Sequence, residues 1–194
     1  MNGKISKAVE SLRKGGVIVY PTETSYGLGA SIECIGAIRR IKKIKGRDGR
    51  KPISIIVSSA KMAEKYCVLG NDAKKLMREF MPGPLTLVVD KKKTVTKELT
   101  REKTIAFRVS SNRTANAIVK ALGVPITATS ANKSGDKPIY LGKKAEKEFA
   151  GKVDFVLNAG NLRRRKVSTV FSVMEKKILR KGKISEKEIL RVLK

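Results

Sequence analysis

The sequence predicts an α/β protein in which helices flank one twisted sheet of parallel and antiparallel strands. Two observations lead to this fold class. Strand-length apolar runs alternate with amphipathic helical segments in the first half of the chain, and strands dominate the second half. The 194 residues fit a single domain, 1–194, because that length buries a core without disulfides and no linker divides it.

The helices are predicted from apolar periodicity and from capping residues. The clearest stripe is the run of isoleucines in 32–44, which ends at Gly46, a residue suited to a helix C-terminus. Asn71 and Asn112 are the expected N-caps of two further helices, and a capping box opens at Ser185. Apart from the isoleucine stripe, the predicted helices cover 4–14, 71–80, 112–122, 142–150 and 185–193.

The strands are predicted from β-branched and aromatic runs that are bounded by turn residues. They cover 17–20, 53–57, 85–89, 104–109, 124–129, 154–158, 167–173 and 176–181. We expect Pro21 to end the first strand and the hydroxyl- and glycine-rich segment 22–29 to form a turn before a helix. Polar groups that converge at a strand end are typical of ligand sites, although threonines there also cap helices.

Charge is the strongest compositional signal. The chain has 44 Lys and Arg against 17 Asp and Glu, a formal net charge of +27. Such an excess attracts phosphate-rich substrates or RNA, although a generally basic, solvated surface explains part of it equally well. Two segments, 39–51 and 163–183, concentrate the positive charge locally.

Several classes of protein are excluded by composition. Histidine is absent, which rules out His-based catalytic triads, and the two cysteines, Cys34 and Cys67, have no metal-ligand spacing. We therefore expect no protein-bound metal site. No apolar run approaches a membrane span and no secretory signal is recognisable, so we expect a cytoplasmic protein in a reducing compartment.

Five motifs occur in a fixed order along the chain. They are Pro21-Thr22-Glu23-Thr24-Ser25-Tyr26-Gly27-Leu28, then Lys45-Gly46-Arg47 with Lys51-Pro52, then Pro82-Gly83-Pro84-Leu85-Thr86, then Ser130-Ala131-Asn132-Lys133-Ser134-Gly135, and finally Ser168-Thr169-Val170 with Ile178-Leu179-Arg180-Lys181-Gly182. Together they cover about 12–185, and the chain resembles the YrdC/Sua5 family over that range. Its length is similar to that of the short YrdC form.

The resemblance implies a nucleotidyltransferase with a basic, concave active-site cleft. Members of the family form L-threonylcarbamoyladenylate and pyrophosphate from ATP, L-threonine and bicarbonate, for the t6A37 modification of tRNA. The resemblance further implies Mg²⁺ bound with ATP, no tightly bound organic cofactor, and a downstream tRNA threonylcarbamoyl transferase complex as partner. Direct binding of tRNA or double-stranded RNA stays open.

The family motifs also imply roles for individual residues. Lys45 and Arg47 match the catalytic cations at the triphosphate. The positions that match the threonine site are Thr24, Arg108, Ala128 and Ser168. The positions that match the ATP site are Lys45, Arg47, Lys51, Thr104, Ser130, Asn132 and Arg180.

The residues themselves leave some alternatives open. Strand alternation places Thr104, Ala106 and Arg108 on one face, where the guanidinium of Arg108 needs a substrate carboxylate or a core acid as partner. Ile56 stands where some family members have a histidine near the amino-acid site, so that contact is absent or replaced. The general base is a carboxylate, an amine or the substrate itself.

Two other functions compete with the synthase. The first is a double-stranded RNA-binding or ribosome-maturation protein, which the charge supports, whereas the absence of Trp and the 5% aromatic content disfavour recognition by base stacking. The second is carbamoyl transfer to another acceptor, as in the related domain of hydrogenase-maturation enzymes, which carry additional domains.

Overall fold

The structure is a computed structural model that describes residues 3–46 and 51–194. Within that part of the chain, nine strands form one sheet in the order β7-β1-β2-β6-β3-β5-β4-β8-β9. The strands are β1 Ile18–Pro21, β2 Tyr26–Gly29, β3 Ser54–Val57, β4 Leu85–Asp90, β5 Thr104–Val109, β6 Ile126–Ser130, β7 Phe155–Val156, β8 Thr169–Ser172 and β9 Lys177–Arg180.

The sheet is mixed, as the sequence predicts. Parallel pairing joins β1 to β7, β3 to β5 and β4 to β8, and the remaining five neighbouring pairs are antiparallel. Because β3, β5 and β6 lie at its centre, the strand that carries Arg108 has neighbours on both sides.

The helices lie on both faces of this sheet. They are α1 Gly3–Arg13, α2 Ile35–Lys45, α3 Ala60–Ala63, α4 Asn71–Phe80, α5 Arg113–Leu122, α6 Gly142–Phe149 and α7 Glu186–Leu193. The side chain of Asn112 caps α5 by accepting from two backbone N–H groups, and the capping box at Ser185 opens α7, both as predicted. The expected cap at Asn71 is wrong, because Gly70 occupies the N-cap position. The single-turn α3 has no counterpart among the predicted helices.

The segment after Pro21 differs from the prediction. Residues 22–25 form a tight turn, but the chain then returns as β2, antiparallel to β1, instead of entering a helix. The glycines that suggested a loop are needed in this strand because the ring of Tyr20 lies against them. A Cβ atom at Gly29 would lie 2.9 Å from the Tyr20 ring, and one at Gly27 would lie 3.3 Å from it.

Two hydrophobic clusters cover the two faces of the sheet unequally. On one face, α2, α4, α6 and α7 pack over most of the strands and form the larger core. On the other face, α1 and α5 pack over a smaller cluster that includes Ile18, Ile56 and Ile126. Because side chains alternate along a strand, Ser54 in β3 and Ala128 in β6 lie on this same face. Both line an open cleft.

The chain that follows β9 packs closely against the start of β8. A Cβ atom at Gly182 would lie 2.3 Å from the backbone nitrogen of Thr169 and 2.5 Å from the carbonyl carbon of Ser168. Both are backbone atoms, so a side chain at this position forces the segment before β8 to move. Gly182 therefore helps to place Ser168.

We predict that Gly182→Ala destabilises the protein by about 1–3 kcal/mol, the usual cost of overpacking. Gly36→Ala is the matched control, because Gly36 is exposed in α2 and a Cβ atom there meets nothing within 4 Å. The control is expected to leave stability unchanged or to raise it by about 0.5–1 kcal/mol. Urea unfolding of both variants measures the difference, and equal stabilities would contradict this packing.

Candidate active site

The cleft occupies the part of the sheet face that α1 and α5 leave open. Its volume is about 340 Å³, which is within the usual range for small-molecule sites. The residues that line it come from the 22–25 turn, from every strand except β7 and from the loops beside them. They are Tyr20, Thr22, Thr24, Ser25, Tyr26, Gly27, Pro52, Ile53, Ser54, Thr86, Ala106, Arg108, Ala128, Thr129, Ser130, Pro138, Tyr140, Val167, Ser168, Val170 and Arg180.

The structure brings six of the predicted site residues together in this cleft. They are Thr24, Arg108, Ala128, Ser130, Ser168 and Arg180. They lie on five separate strands and turns, so the fold alone makes them neighbours. The assigned contacts with threonine and ATP stay predictions.

The hydroxyl of Thr22 organises the 22–25 turn. Its Oγ1 donates to the carbonyl of Ser25 at 2.7 Å and accepts from the backbone N–H groups of Thr24 and Ser25, each at 3.2 Å. The hydroxyl of Thr24 lies 3.0 Å from the same atom. The turn is thus held by its own hydrogen bonds, which fixes Thr24 at the cleft without any ligand.

Arg108 lies at the bottom of the cleft and is only 8% exposed. Its Nη1 lies 3.3 Å from Oε1 of Glu23, so the buried acid that the sequence left open as a partner is present. The other carboxylate oxygen of Glu23 accepts a short hydrogen bond from the hydroxyl of Ser110. The Nε of Arg108 is buried and donates to no acceptor among the described residues.

Arg180 approaches the same cleft from β9. Its Nη2 donates to the hydroxyl of Ser168 at 2.8 Å and to the carbonyl of Ser168 at 2.9 Å, and the Ser168 hydroxyl lies 3.0 Å from that of Thr86. Although part of the side chain is exposed, desolvation of its inner part lowers the pKa of Arg180, and repulsion from Arg108 lowers it further. Two guanidinium groups that disfavour each other's charge make a site that favours an anion.

Lys45 occupies a different position from the cleft residues. It is 3% exposed, and its ammonium donates to the carbonyls of Ser130 at 2.6 Å and Asn132 at 2.7 Å. The side-chain amide of Asn132 donates to the carbonyls of Lys133 and Asp136, while its Oδ1 is buried and has no hydrogen-bond partner among the described residues. These contacts hold the end of α2 against the 130–136 loop. Neither Lys45 nor Asn132 lines the cleft.

The other predicted ATP residues lie at or beyond the edge of the cleft. Lys51 is exposed and adjoins Pro52, which lines it. Thr104 is paired with Asp90 at the far end of β5 and does not line the cleft. Arg47 lies outside the described residues. The assigned roles of Lys45, Arg47, Lys51, Thr104 and Asn132 remain predictions.

The sequence missed several residues that the cleft contains. Thr86 belongs to a recognised motif but was given no role, whereas Thr22 and Ser25 belong to the hydroxyl-rich segment 22–29, whose polar groups were expected at a ligand site without individual assignments. No local sequence pattern indicated Tyr140. Its ring lies close to Arg164 of the exposed basic segment beside the cleft, with 5.5 Å between the guanidinium and the ring centroid. Ile56 is fully buried under α1 and α5 and does not line the cleft, so it makes no direct contact there.

In residues 3–46 and 51–194, no group of three or more His, Cys, Asp or Glu side chains is arranged to hold a metal ion. None of the helices that the structure describes is long and apolar enough to cross a membrane. Among the described residues that line the cleft there is no Asp or Glu, so these residues offer cations, hydroxyls and backbone groups.

Comparisons with known proteins agree with the sequence motifs. The family model Sua5_yciO_yrdC, described as "Telomere recombination", matches residues 10–182. Threonylcarbamoyl-AMP synthase of Thiobacillus denitrificans is 37% identical over 171 residues, which cover 87% of this chain and 90% of that protein.

Solved structures give the same result. The crystal structure of Pyrococcus abyssi Sua5 complexed with L-threonine is similar with a TM-score of 0.92 and 33% identity, over 97% of this chain and 57% of that one. Escherichia coli YciO is similar with a TM-score of 0.87 and 32% identity, over 95% of this chain and 92% of that one. The chain thus spans a little over half of the Sua5 protein and nearly all of YciO. This protein belongs to the Sua5/YciO/YrdC family.

Proposed function

We propose that this protein is a threonylcarbamoyl-AMP synthase, which forms L-threonylcarbamoyladenylate and pyrophosphate from ATP, L-threonine and bicarbonate for the t6A37 modification of tRNA. The observation that carries the proposal is the pair of arginines, Arg108 and Arg180, in one cleft of about 340 Å³. The reaction brings together a carboxylate and a polyphosphate, and each arginine suits one of these anions. The name of the 37% identical relative supports the same activity.

The reaction needs two anionic substrates to be held in line. The amine of threonine combines with bicarbonate to give a carbamate and water. An oxygen of the carbamate then attacks the α-phosphorus of ATP, and the bond to the β,γ-diphosphate breaks to release pyrophosphate. No covalent bond to the protein forms, so catalysis depends on orientation and on stabilising negative charge at the phosphorus.

We assign these tasks to different residues of the cleft. Arg108 would bind the carboxylate of threonine, with Thr24 and Ser168 as hydroxyl partners for its amine and side chain. Arg180 would bind the nucleotide, together with Ser130 from β6. Our candidates for binding the triphosphate stay Lys45, Arg47 and Lys51. For Lys45, that role requires its ammonium to leave the carbonyls of Ser130 and Asn132.

Magnesium is part of this proposal only as the companion of ATP. Mg²⁺ prefers oxygen ligands and is commonly held by substrate phosphates with few protein carboxylates. Because no described residue that lines the cleft is an Asp or Glu, we assign no protein ligand to it. A cytoplasmic location and a downstream tRNA threonylcarbamoyl transferase complex belong to the same proposal.

The RNA-binding alternative rests on the exposed segment 163–166, which consists of three arginines and a lysine beside the cleft. Exposed cations of this kind bind any polyanion, whereas Arg108 is buried and lines the cleft. The cleft therefore favours a small-molecule reaction, and contact of the basic segment with tRNA is compatible with it.

We predict that purified protein releases pyrophosphate from ATP only when L-threonine and bicarbonate are both present, because the attacking oxygen is assembled from those two. Labelled bicarbonate is expected in a product that also contains threonine and adenylate. The measurement is pyrophosphate release with each substrate omitted in turn. Equal release without threonine would overturn the synthase and favour a simple ATPase.

Arg180 gives a second prediction, which concerns phosphate binding in the cleft. Pyrophosphate is expected to raise the melting temperature of the unaltered protein, and Arg180→Gln is expected to weaken its affinity about 10- to 150-fold, the usual worth of a charge-assisted hydrogen bond. Arg39→Gln is the control, since Arg39 pairs with Glu98 on the surface of α2. Thermal shifts at constant ionic strength measure both, and equal losses would indicate a generic surface-charge effect.

A further inference from the structure

Glu23 is a buried acid that the reaction described above does not use. Its side chain is 5% exposed, and it is absent from the residues that line the cleft. It lies behind Arg108, on the 22–25 turn whose other members face the cleft. A carboxylate placed there contacts the guanidinium without reaching a ligand in the cleft.

The contact uses only one part of the guanidinium. Oε1 of Glu23 lies 3.3 Å from Nη1 of Arg108, an ion pair in which Oε1 accepts no hydrogen bond from the described residues. The Nε of Arg108 is buried and has no hydrogen-bond partner within the described chain. In any arginine, Nε and Nη2 form a side edge with two parallel N–H bonds, which matches the two oxygens of a carboxylate. Glu23 thus lies beside the nitrogen outside that edge, and no residue that the structure describes accepts a hydrogen bond from the edge.

Glu23 is itself held from a rigid part of the fold. The hydroxyl of Ser110 donates to its Oε2, and the same hydroxyl accepts from the backbone N–H of Asn112 at 3.2 Å. Asn112 is the N-cap of α5. The carboxylate is therefore fixed by the start of a packed helix as well as by its own turn, and it fixes the direction of Arg108 in turn.

We propose that Glu23 is the positioning residue of the amino-acid site: it holds Nη1 of Arg108 from behind, so that the Nε and Nη2 edge is presented to the substrate's carboxylate. This inference rests on the proposed function, which makes that carboxylate the one of L-threonine. It assigns Glu23 an effect on threonine recognition and none on ATP.

Two other roles for the same contact make opposite predictions. If Glu23 competed with the substrate for Arg108, its removal would improve threonine binding. If it only compensated a buried charge, its removal would lower stability and affect both substrates to the same extent. The effect on the KM of each substrate separates the three.

The test uses the full chain with Glu23→Gln, which keeps the size of the side chain and an acceptor for Ser110 but removes the charge. We expect the KM for L-threonine to rise about tenfold, the lower end for a charge-assisted contact, with the KM for ATP unchanged. Glu23→Asp is expected to restore part of the affinity. Glu98→Gln is the control, because it makes the same change in a carboxylate that forms surface ion pairs with Arg39 and Lys42. It is expected to leave the KM for L-threonine and the KM for ATP unchanged.

Two further variants test whether the effect passes through Arg108. Arg108→Lys keeps the positive charge but removes the planar guanidinium. In that background, Glu23→Gln is expected to have no additional effect on the KM for threonine, because the effects of substitutions at two interacting residues do not add. Should Glu23→Gln fail to fold, Ser110→Ala takes its place, and we expect a smaller rise in the same KM, about two- to fivefold.

The outcomes separate this inference from the proposed function. A lower KM for threonine, an equal change for both substrates, or full additivity with Arg108→Lys would overturn the positioning role. If the unaltered protein showed no threonine-dependent pyrophosphate release, the proposed function would fail instead. Calorimetric binding of L-threonine to the same variants would then decide the role of Glu23, and absence of binding to the unaltered protein would overturn that role too.

Discussion

The site depends on incomplete coverage of one face of the sheet. Two helices, α1 and α5, pack over Ile18, Ile56 and Ile126, and the strands continue beyond them without a covering layer. Because side chains alternate along each strand, the same face that is apolar under the helices becomes the cleft a few ångströms further on. The register of β3 and β6 therefore places Ser54 beside Ala128, and Arg108 lies on the same face of β5, beside Ile56.

The charges in this cleft are arranged so that an anion stabilises them. Arg108 is nearly buried and only partly neutralised by Glu23, and Arg180 has a lowered pKa because of desolvation and the nearby Arg108. Interactions of this kind are stronger in a partly desolvated cleft than on the surface. The exposed cations of the chain are more numerous, but water and salt screen them, so they contribute less to selective binding.

The sequence predicted the elements with strong local signals. The helix predicted between Asn112 and Gly123 is present in the structure. It was predictable because capping depends on residues only a few positions apart. The strand β2 was missed because Gly27 and Gly29 suggest a loop, and only the ring of Tyr20 from the neighbouring strand explains them. Local patterns do not contain that kind of cross-strand contact.

The same distinction applies to the site. Alternation along β5 was sufficient to place Ala106 and Arg108 on one face, and both line the cleft. The contacts of Lys45 were not predictable, because the carbonyls that surround its ammonium come from a loop about 85 residues later in the chain. Likewise, the pairing of Glu23 with Arg108 joins residues that only the folded sheet brings together.

The most direct test of the account is a crystal structure of this protein with L-threonine and α,β-methylene-ATP, an analogue that cannot release pyrophosphate. The account predicts the threonine carboxylate on the Nε and Nη2 edge of Arg108, with Glu23 still on Nη1, and phosphate oxygens at Arg180. Threonine bound outside the cleft, or a carboxylate that replaces Glu23 on Nη1, would contradict it.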